Sequence, residues 1–557
     1  MPNLGAFKHG VSWEDVPTSV ISPVAAYPGM NVVIGSAPIW QCTDPVLGPK
    51  LVNTPRIYNS YEEAVAEMGY SNDWKTYDIC EHMDALFVEF GMYPVTYINV
   101  LDPTKAAVVV PPTNYDLVNG QIDTGKSFIG WTITVAAGTT KGADKTTPPG
   151  ANSGASTPPG STPPPAPPGS TPPPAPKAGN YVLGVDYLLS LSANNTWIVT
   201  RIEGGAIPTD TSGVMVGGKT PGTTPVGATD IIGGVDQTTG KRTGIEAVED
   251  VFQLTGYVPG ILIAPLWSHN ALVASALEAK CENINGCFAA TCLIDVDTSA
   301  TATPPVKTAQ DVIGTAGWKN VNNIVSPRQQ CLFGNPALVG VTSGQPGSAV
   351  TVTKKFHFAS QQGPLMQWTD TYKGGGLPYC SPSNKNLRMN SLQMDDNSEV
   401  PMHLLDANML NGQGVVTALN WIGGWRSWGN RTAAYPANSD VKDMFIPVRR
   451  MFDYIGNTLI LTVWQKVDEP GNRRLIDAIV NSLQLWLDGL TATEALLGAR
   501  IEFNQSENPT TELLNGHYTF HIFIAVPTPA EWLDFKIEYW VPYIADLWPT
   551  TQNAVAA

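Results

Sequence analysis

The chain has 557 residues, enough for roughly three to four domains, and 43% of them are hydrophobic, enough for large buried cores. Net charge is −16 with no Lys/Arg cluster to offset it, which argues against direct binding of DNA or RNA; a role in solubility or toward a basic partner remains. No run of about 20 apolar residues occurs, so no membrane insertion is expected, and Met1-Pro-Asn-Leu lacks the basic-then-apolar pattern of a secretory leader.

Only 14% of residues are charged, against about 25% on average, while Trp (16) and Tyr (18) are plentiful. That suits an exterior covered by copies of itself, since interfaces favour aromatics over Lys and Glu. The seven cysteines are Cys42, Cys80, Cys281, Cys287, Cys292, Cys331 and Cys380. Their spacings match no common zinc pattern, so they read as reduced thiols of a protein folded in a cytosol.

In chain order, Val11-Ser-Trp-Glu-Asp-Val-Pro17 and Thr18-Ser-Val-Ile21 are strand-like and have no neighbouring partner in sequence. Asn31–Gly35 suits a buried strand. Tyr61–Met68 reads as a helix with Ser60 as cap and Glu62 and Glu63 in its first turn. Tyr77–Phe90 is a second helix, with Ile79, Cys80, Met83, Leu86, Phe87 and Phe90 on one stripe. Pro94–Val100 follows as a strand, and this order argues for a parallel crossover unit.

From 111 to 244 the pattern is β-rich, with no helix beyond a turn near Val185–Leu191. Asp116–Asp123 centres on Asn119-Gly120 and reads as a hairpin. Ser127–Ala136 and Thr196–Ile202 read as further strands. Thr146–Ala178 holds thirteen prolines and a single charge, Lys177, with a nine-residue unit in tandem at Gly160–Pro168 and Gly169–Lys177. Such composition forms neither core nor ladder; it predicts an exposed extended loop or tether, on the order of 100 Å if fully stretched.

Alternation resumes at 245. Gly244–Leu254 and His269–Lys280 read as helices, Gly260–Ala264 and Cys287–Val296 as buried strands. Residues 245–340 are expected to complete the sheet begun at 31–110. In the last third, Pro447–Ile455 and a longer stretch from Pro470 to about Leu487 read as helices, the second with Leu475, Ile476, Ile479, Val480, Leu483, Trp486 and Leu487 on one wide face. Ala499–Phe503 and His517–Val526 read as strands. Asp534–Val541 largely alternates, with Phe535, Ile537, Tyr539 and Val541 on one face, the mark of a half-buried strand. The two terminal strands either pair within one subunit or add to the sheets of neighbours.

Two stretches match the phosphate-loop spacing, Gly120–Ser127 and Gly213–Thr220. Neither is followed by a helix-forming sequence, so both read as Gly-rich turns. His517 and His521 fall on one strand face, and Asp295 and Asp297 end a strand; both pairs read as structural. No nucleophile elbow or His-Glu-x-x-His occurs, so no catalytic, cofactor or metal residues are assigned.

Three stretches of the last third, Gly412–Leu419, Trp425-Arg-Ser-Trp-Gly-Asn-Arg-Thr432 and Phe445–Tyr454, resemble the C-terminal region of contractile phage tail sheath proteins. The opening, His9–Ser19 and Val32–Pro38, resembles that family's start and first core strand. The similarity covers roughly 1–40 and 410–545; the middle agrees only in its order of elements, and the insert is a departure.

The resemblance implies a structural subunit, not an enzyme. It implies hexameric rings of this chain on a helical lattice around a tail tube protein, with baseplate and tail terminator proteins at the ends. Contraction would drive the tube through the host envelope for genome ejection, without nucleotide, from a metastable sheath. The expected place is the virion tail, after assembly in host cytoplasm.

The fold expected is an α/β core domain with an inserted β-rich domain, an α+β C-terminal domain, and extended N- and C-terminal arms. The boundaries are 1–28 for the first arm and 29–110 with 245–405 for the core. The outer insert takes 111–244, with its Pro-rich loop at 146–178. The tube-facing domain takes 406–532 and the second arm 533–557. Val11, Trp13, Val16, Phe535, Ile537, Tyr539 and Val541 are expected to join subunits. Arg473 and Arg474, cations at a helix start, are expected to face the tube, with a solvated helix end as the plainer reading. Trp425, Trp428, Asn430 and Arg431 are expected to organise the C-terminal domain. A sheath of a phage-derived bacteriocin or secretion device is the alternative within the class. Outside it stand a secreted glycan-binding surface protein and, from the two loop matches, an ATPase.

Overall fold

The structure, a computed structural model, describes residues 23–138, 180–207, 212–222, 224–343 and 350–547. Val11, Trp13 and Val16, and the Pro-rich stretch 146–178, lie outside the described residues.

The chain enters as β1 (Asn31–Gly35), β2 (Arg56–Tyr58), helix α1 (Tyr61–Met68), helix α2 (Asp78–Met83) and β3 (Val95–Asn99). Ser60 caps α1 by accepting the Glu63 N–H, as expected. The helical stripe expected over 77–90 changes pitch midway: α2 passes into a π-helical turn at Asp84–Glu89. The insert follows with β4 (Val108–Asp116), β5 (Gln121–Asp123), β6 (Thr134–Ala137), β7 (Tyr187–Leu191), β8 (Trp197–Arg201) and β9 (Ser212–Thr220). The core resumes with β10 (Ile261–Ile263), helix α3 (Ala271–Glu282), β11 (Thr291–Asp295), β12 (Gln329–Phe333), helix α4 (Phe358–Tyr372), helix α5 (Leu404–Asn411), β13 (Val415–Trp421) and β14 (Gly424–Trp428).

These strands build one eight-stranded sheet in the order β14-β13-β12-β11-β10-β1-β3-β2. All pairs are parallel except the two at the edges, β13–β14 and β3–β2. Its interior strands are buried on both faces, which is why they read as unbroken apolar runs. The sheet therefore joins 31–99 with 261–333, as the sequence predicts, and it also takes in Val415–Trp428. The boundary expected at 406 is corrected: Val415 to Thr417 pair with Cys331 to Phe333, so this hairpin is part of the α/β sheet.

The insert carries two three-stranded sheets, β4-β9-β6 and β5-β8-β7, around its own core of Phe128, Val135, Tyr187, Trp197 and Val216. It is shorter than expected at its far end, because Ile231 packs into the main core. Tyr187–Leu191 is a strand rather than a helical turn. Asn119 and Gly120 have φ of 53° and 77°, and Val118 and Gln121 exchange backbone hydrogen bonds of 2.9 and 3.0 Å around them, the turn that Asn-Gly predicts. The first phosphate-loop match begins in this turn and the second lies within β9.

The connections reverse direction at β1 and β10. Open α/β sheets hold ligands at such a switch point, outside the strand carboxyl ends. Here that place is filled. Asp78 accepts the Ser36 N–H at 2.5 Å and the Trp267 indole N–H at 2.6 Å. Beside it Asp295 accepts from the Ala359 N–H at 2.8 Å and from Ser268 Oγ at 3.0 Å. Burial raises Asp78 to about 7 and Asp295 to about 6.

Candidate assembly interface

The last third of the chain forms a second core. Helix α6 (Ile446–Val463) carries Pro447 in its first turn, where the missing N–H costs nothing. Helix α7 (Arg473–Ala492) is capped by Asn472, whose side-chain oxygen accepts the Leu475 N–H at 3.0 Å. Its Ile479, Leu483, Leu487 and Leu490 pack with Val448, Met451 and Ile455 of α6. A two-stranded ribbon, β15 (Gly498–Glu502) and β16 (His521–Ala525), covers the pair, turning Ile501, Ile522 and Ile524 inward. Outward, the Arg500 guanidinium stands 4.2 Å from the Phe523 ring centre and the His521 ring stacks on Phe523 at 4.1 Å.

The two edges of this ribbon differ. On the β15 side, Gln484 of α7 donates to Ala499 O at 3.2 Å and accepts the Ile501 N–H at 3.0 Å. In an antiparallel ladder, residues opposite outward-facing ones also face outward. Ile524 and Ile522 lie opposite Ala499 and Ile501, so their backbone groups point away from β15. No described residue meets them. The outer edge of β16 is therefore open, and an open edge is a template for another strand.

The segment leading into β1 runs antiparallel along α6. Arg450 donates to Pro28 O at 3.1 Å, the Ala26 N–H to Thr458 Oγ1 at 3.2 Å, and the Val24 N–H to Thr462 Oγ1 at 3.0 Å. The other end of the chain leaves β16 and is anchored at its root. Arg431 pairs with Glu531 through Nε at 3.0 Å, and its guanidinium lies 4.1 Å from the Tyr435 ring centre and 4.7 Å from that of Phe445. Beyond this clamp, Phe535 is 81% exposed, Ile537 96% and Tyr539 76%, with Val541 also exposed. The strand expected over Phe535–Val541 is not formed: the segment joins no ladder and ends in a 3-10 turn, Val541–Leu547. Alternation marks a segment that needs a partner strand, and the described residues offer it none.

No family model matches the chain. The tail sheath protein of Burkholderia phage BcepMu is 29% identical to it over 526 residues, 92% of this chain and 93% of that protein. The chain is similar to tail sheath proteins. A putative prophage major tail sheath protein of Pseudomonas aeruginosa (strain UCBPP-PA14) is 25% identical over 351 residues, 62% of this chain and 79% of that protein. The helical sheath of the anti-feeding prophage in its contracted state shares the fold, with a TM-score of 0.51 at 13% identity over 95% of this chain and 98% of that one.

Against this sheath fold the remaining expected residues fall as follows. Trp425 and Trp428 sit on β14 and pack on the α/β core, not on the C-terminal one, which corrects their assignment. The reason is the pairing of their hairpin with β12. Asn430 and Arg431 do reach the C-terminal part: Asn430 O accepts the Ile446 N–H at 2.8 Å at the start of α6, and its side chain accepts from Ser381 Oγ. Arg473 and Arg474 are exposed in the first turn of α7, and Arg473 lies 3.6 Å from Asp477. His517 and His521 do not form a metal pair; each meets its own carboxylate, Glu512 at 2.9 Å and Glu507 at 2.7 Å. The open β16 edge and the Gln484 cap had no sequence signal, since both depend on which side of the ribbon α7 takes. No helix among the described residues is long and apolar enough to cross a membrane.

Proposed function

We propose that this chain is the structural subunit of a contractile tail sheath, joined to its neighbours by strand addition at the C-terminal ribbon. The observation that carries the reading is the coexistence, in one chain, of an open β16 edge and an exposed alternating segment that matches no strand of its own. A donated strand adds main-chain hydrogen bonds that survive rigid-body rotation of the domains it links. Contacts that do not close by symmetry then generate a helix rather than a ring.

On this reading residues 1–28 and 533–557 are linking arms, and Val11, Trp13, Val16, Phe535, Ile537, Tyr539 and Val541 join subunits. The part built on α6, α7 and the ribbon faces a tail tube protein, with Arg473 and Arg474 as its exposed cations. The insert points outward. Hexameric rings, baseplate and terminator contacts, and assembly in host cytoplasm complete the proposal. A sheath of a phage-derived injection device uses the same subunit; neighbouring capsid and terminase genes would mark the virion.

Electron microscopy of the purified protein tests the reading. Hollow cylinders are expected. Uniform monomers at high concentration would overturn it.

A further inference from the structure

A cleft of about 460 Å³ opens between β14 and the segment that follows α4. Four cations line it, Lys373, Lys385, Arg388 and Arg426, together with the rings of Phe90 and Trp368 and no carboxylate. None of the four makes an ion pair with a described residue. Arg388 donates from Nε only to the backbone oxygen of Glu89, at 3.1 Å, while the Glu89 carboxylate lies 3.5 Å from Lys354. Arg426 donates to the Asn384 backbone and side-chain oxygens at 3.0 and 3.1 Å, and its buried Nε has no partner. The Lys373 ammonium lies 5.9 Å from the Trp368 ring centre and the Arg388 guanidinium 5.4 Å from that of Phe90. Burial pulls the Lys385 pKa down, and the cationic Lys373 and Arg426 add to the pull.

This concentration of unpaired positive charge stands in a chain of net charge −16, with 48 acidic residues against 32 Lys and Arg. Copies of such a chain repel one another, so their association needs local patches of opposite sign. A cleft walled by aromatic rings admits single carboxylates. Nucleic acid instead demands a long basic track, and the chain's overall charge opposes it.

We propose that this cleft receives carboxylates from an acidic surface of a second copy of this chain, giving an inter-subunit contact separate from strand addition at the ribbon. The proposal rests on the sheath reading above. Lys373 and Arg388 are exposed, so reversing them leaves the packed parts of the fold alone.

The test compares the full-length protein with the double variant Lys373→Glu/Arg388→Glu, matched for thermal unfolding, by electron microscopy and light scattering from about 50 to 500 mM NaCl, a range over which screening becomes severe. The concentration needed for cylinders should rise at least tenfold in the variant at low salt, and its salt dependence should flatten. Poly-glutamate should inhibit assembly of the unaltered protein alone. Equal assembly of the two proteins would overturn the proposal. So would inorganic polyphosphate binding that the variant loses while assembly is unchanged, which would make phosphate the ligand. If the unaltered protein forms no cylinders, the sheath reading fails. The cleft is then judged by poly-glutamate binding to the monomer: loss in the variant supports carboxylate recognition, and no binding rejects it.

Discussion

Arg450 of α6 and Asp370 of α4 form an ion pair at 2.5 and 2.9 Å, with neither side chain more than 3% exposed. The pair bolts the C-terminal helices to the helix that covers the central sheet, and Arg450 also holds the lead-in to β1 through Pro28 O. Removing one partner strands a buried charge, which costs about 3–5 kcal/mol. Asp370→Ala should lose that much in urea denaturation. The double change Arg450→Met/Asp370→Leu should lose clearly less, because neither charge is then left alone.

Deleting residues 533–557 should leave the folded monomer almost unchanged, since Phe535 and Ile537 are largely exposed in it. Thermal midpoints should agree within a degree or two, while cylinders disappear from micrographs. A truncated protein that polymerises normally would remove the basis of the strand-addition account.

The Arg431 clamp predicts a local effect. Its guanidinium is held by two rings as well as by Glu531. Arg431→Ala should cost about 1–2 kcal/mol, more than an isolated exposed ion pair would. Arg431→Lys should not restore it, because an ammonium lacks the planar fork. Hydrogen exchange over 527–540 should quicken in both variants.

Stability should fall in alkali, through His357. Its N–H and Nδ1 meet the two Glu81 oxygens at 2.6 and 2.8 Å. Burial alone would lower its pKa, but Glu81, with Asp295 and Asp395 beyond it, carries the value from 6.5 to about 9. A folded pKa above the unfolded one gives stability that is complete below pH 6.5 and lost as pH rises through 9, about 3 kcal/mol at most. Asp78 and Asp295, also raised, slope the same way at lower pH. Unfolding midpoints measured from pH 6.5 to 9 should drop, and Glu81→Gln should flatten that drop.

The insert docks on the core where Trp131 lies against Gly48. A Cβ at Gly48 would run into the indole ring, and one at Gly130 into the Cys42 carbonyl. Gly48→Val should push the insert off this seat, with faster hydrogen exchange in β4–β9 and a slow rate kept in β1 and β10. Trp131→Ala should give the same pattern more mildly.

Where a residue's partners are near in sequence, the chain reads well. Ser60 before α1, Asn119-Gly120 and the apolar runs of β1, β10 and β11 depend on local chemistry, and each takes the form expected. Helix α4 shows the opposite. Ser360, Gln361, Gln362 and Gln367 are all buried and Pro364 lies inside it, so neither apolar period nor helix propensity marks it. The partners that three of these side chains do have come from far away: Gln367 meets Asn31 at 2.8 Å, Gln361 donates to Arg388 O at 2.7 Å, and Gln362 accepts from Ser427 Oγ at 2.9 Å. The cationic cleft is hidden for the same reason. Phe90, Trp368, Lys373 and Arg426 meet only because β14 folds back beside the end of α4. The two tryptophans of the Trp-Gly-Asn-Arg-Thr region misled in another way: a stretch characteristic of a family says that a position matters, not which core it serves.

The insert leaves the core after β3 and returns before 228, and at that crossing the Gly222 N–H donates to Pro103 O at 3.3 Å. This crossing and the Trp131–Gly48 seat are two places where described residues of the insert meet the core. At the crossing both ends of the insert meet at one point of the core, which makes Pro103 and Gly222 the natural splice points for exchanging it, provided the Gly48 surface that Trp131 covers is given a polar replacement.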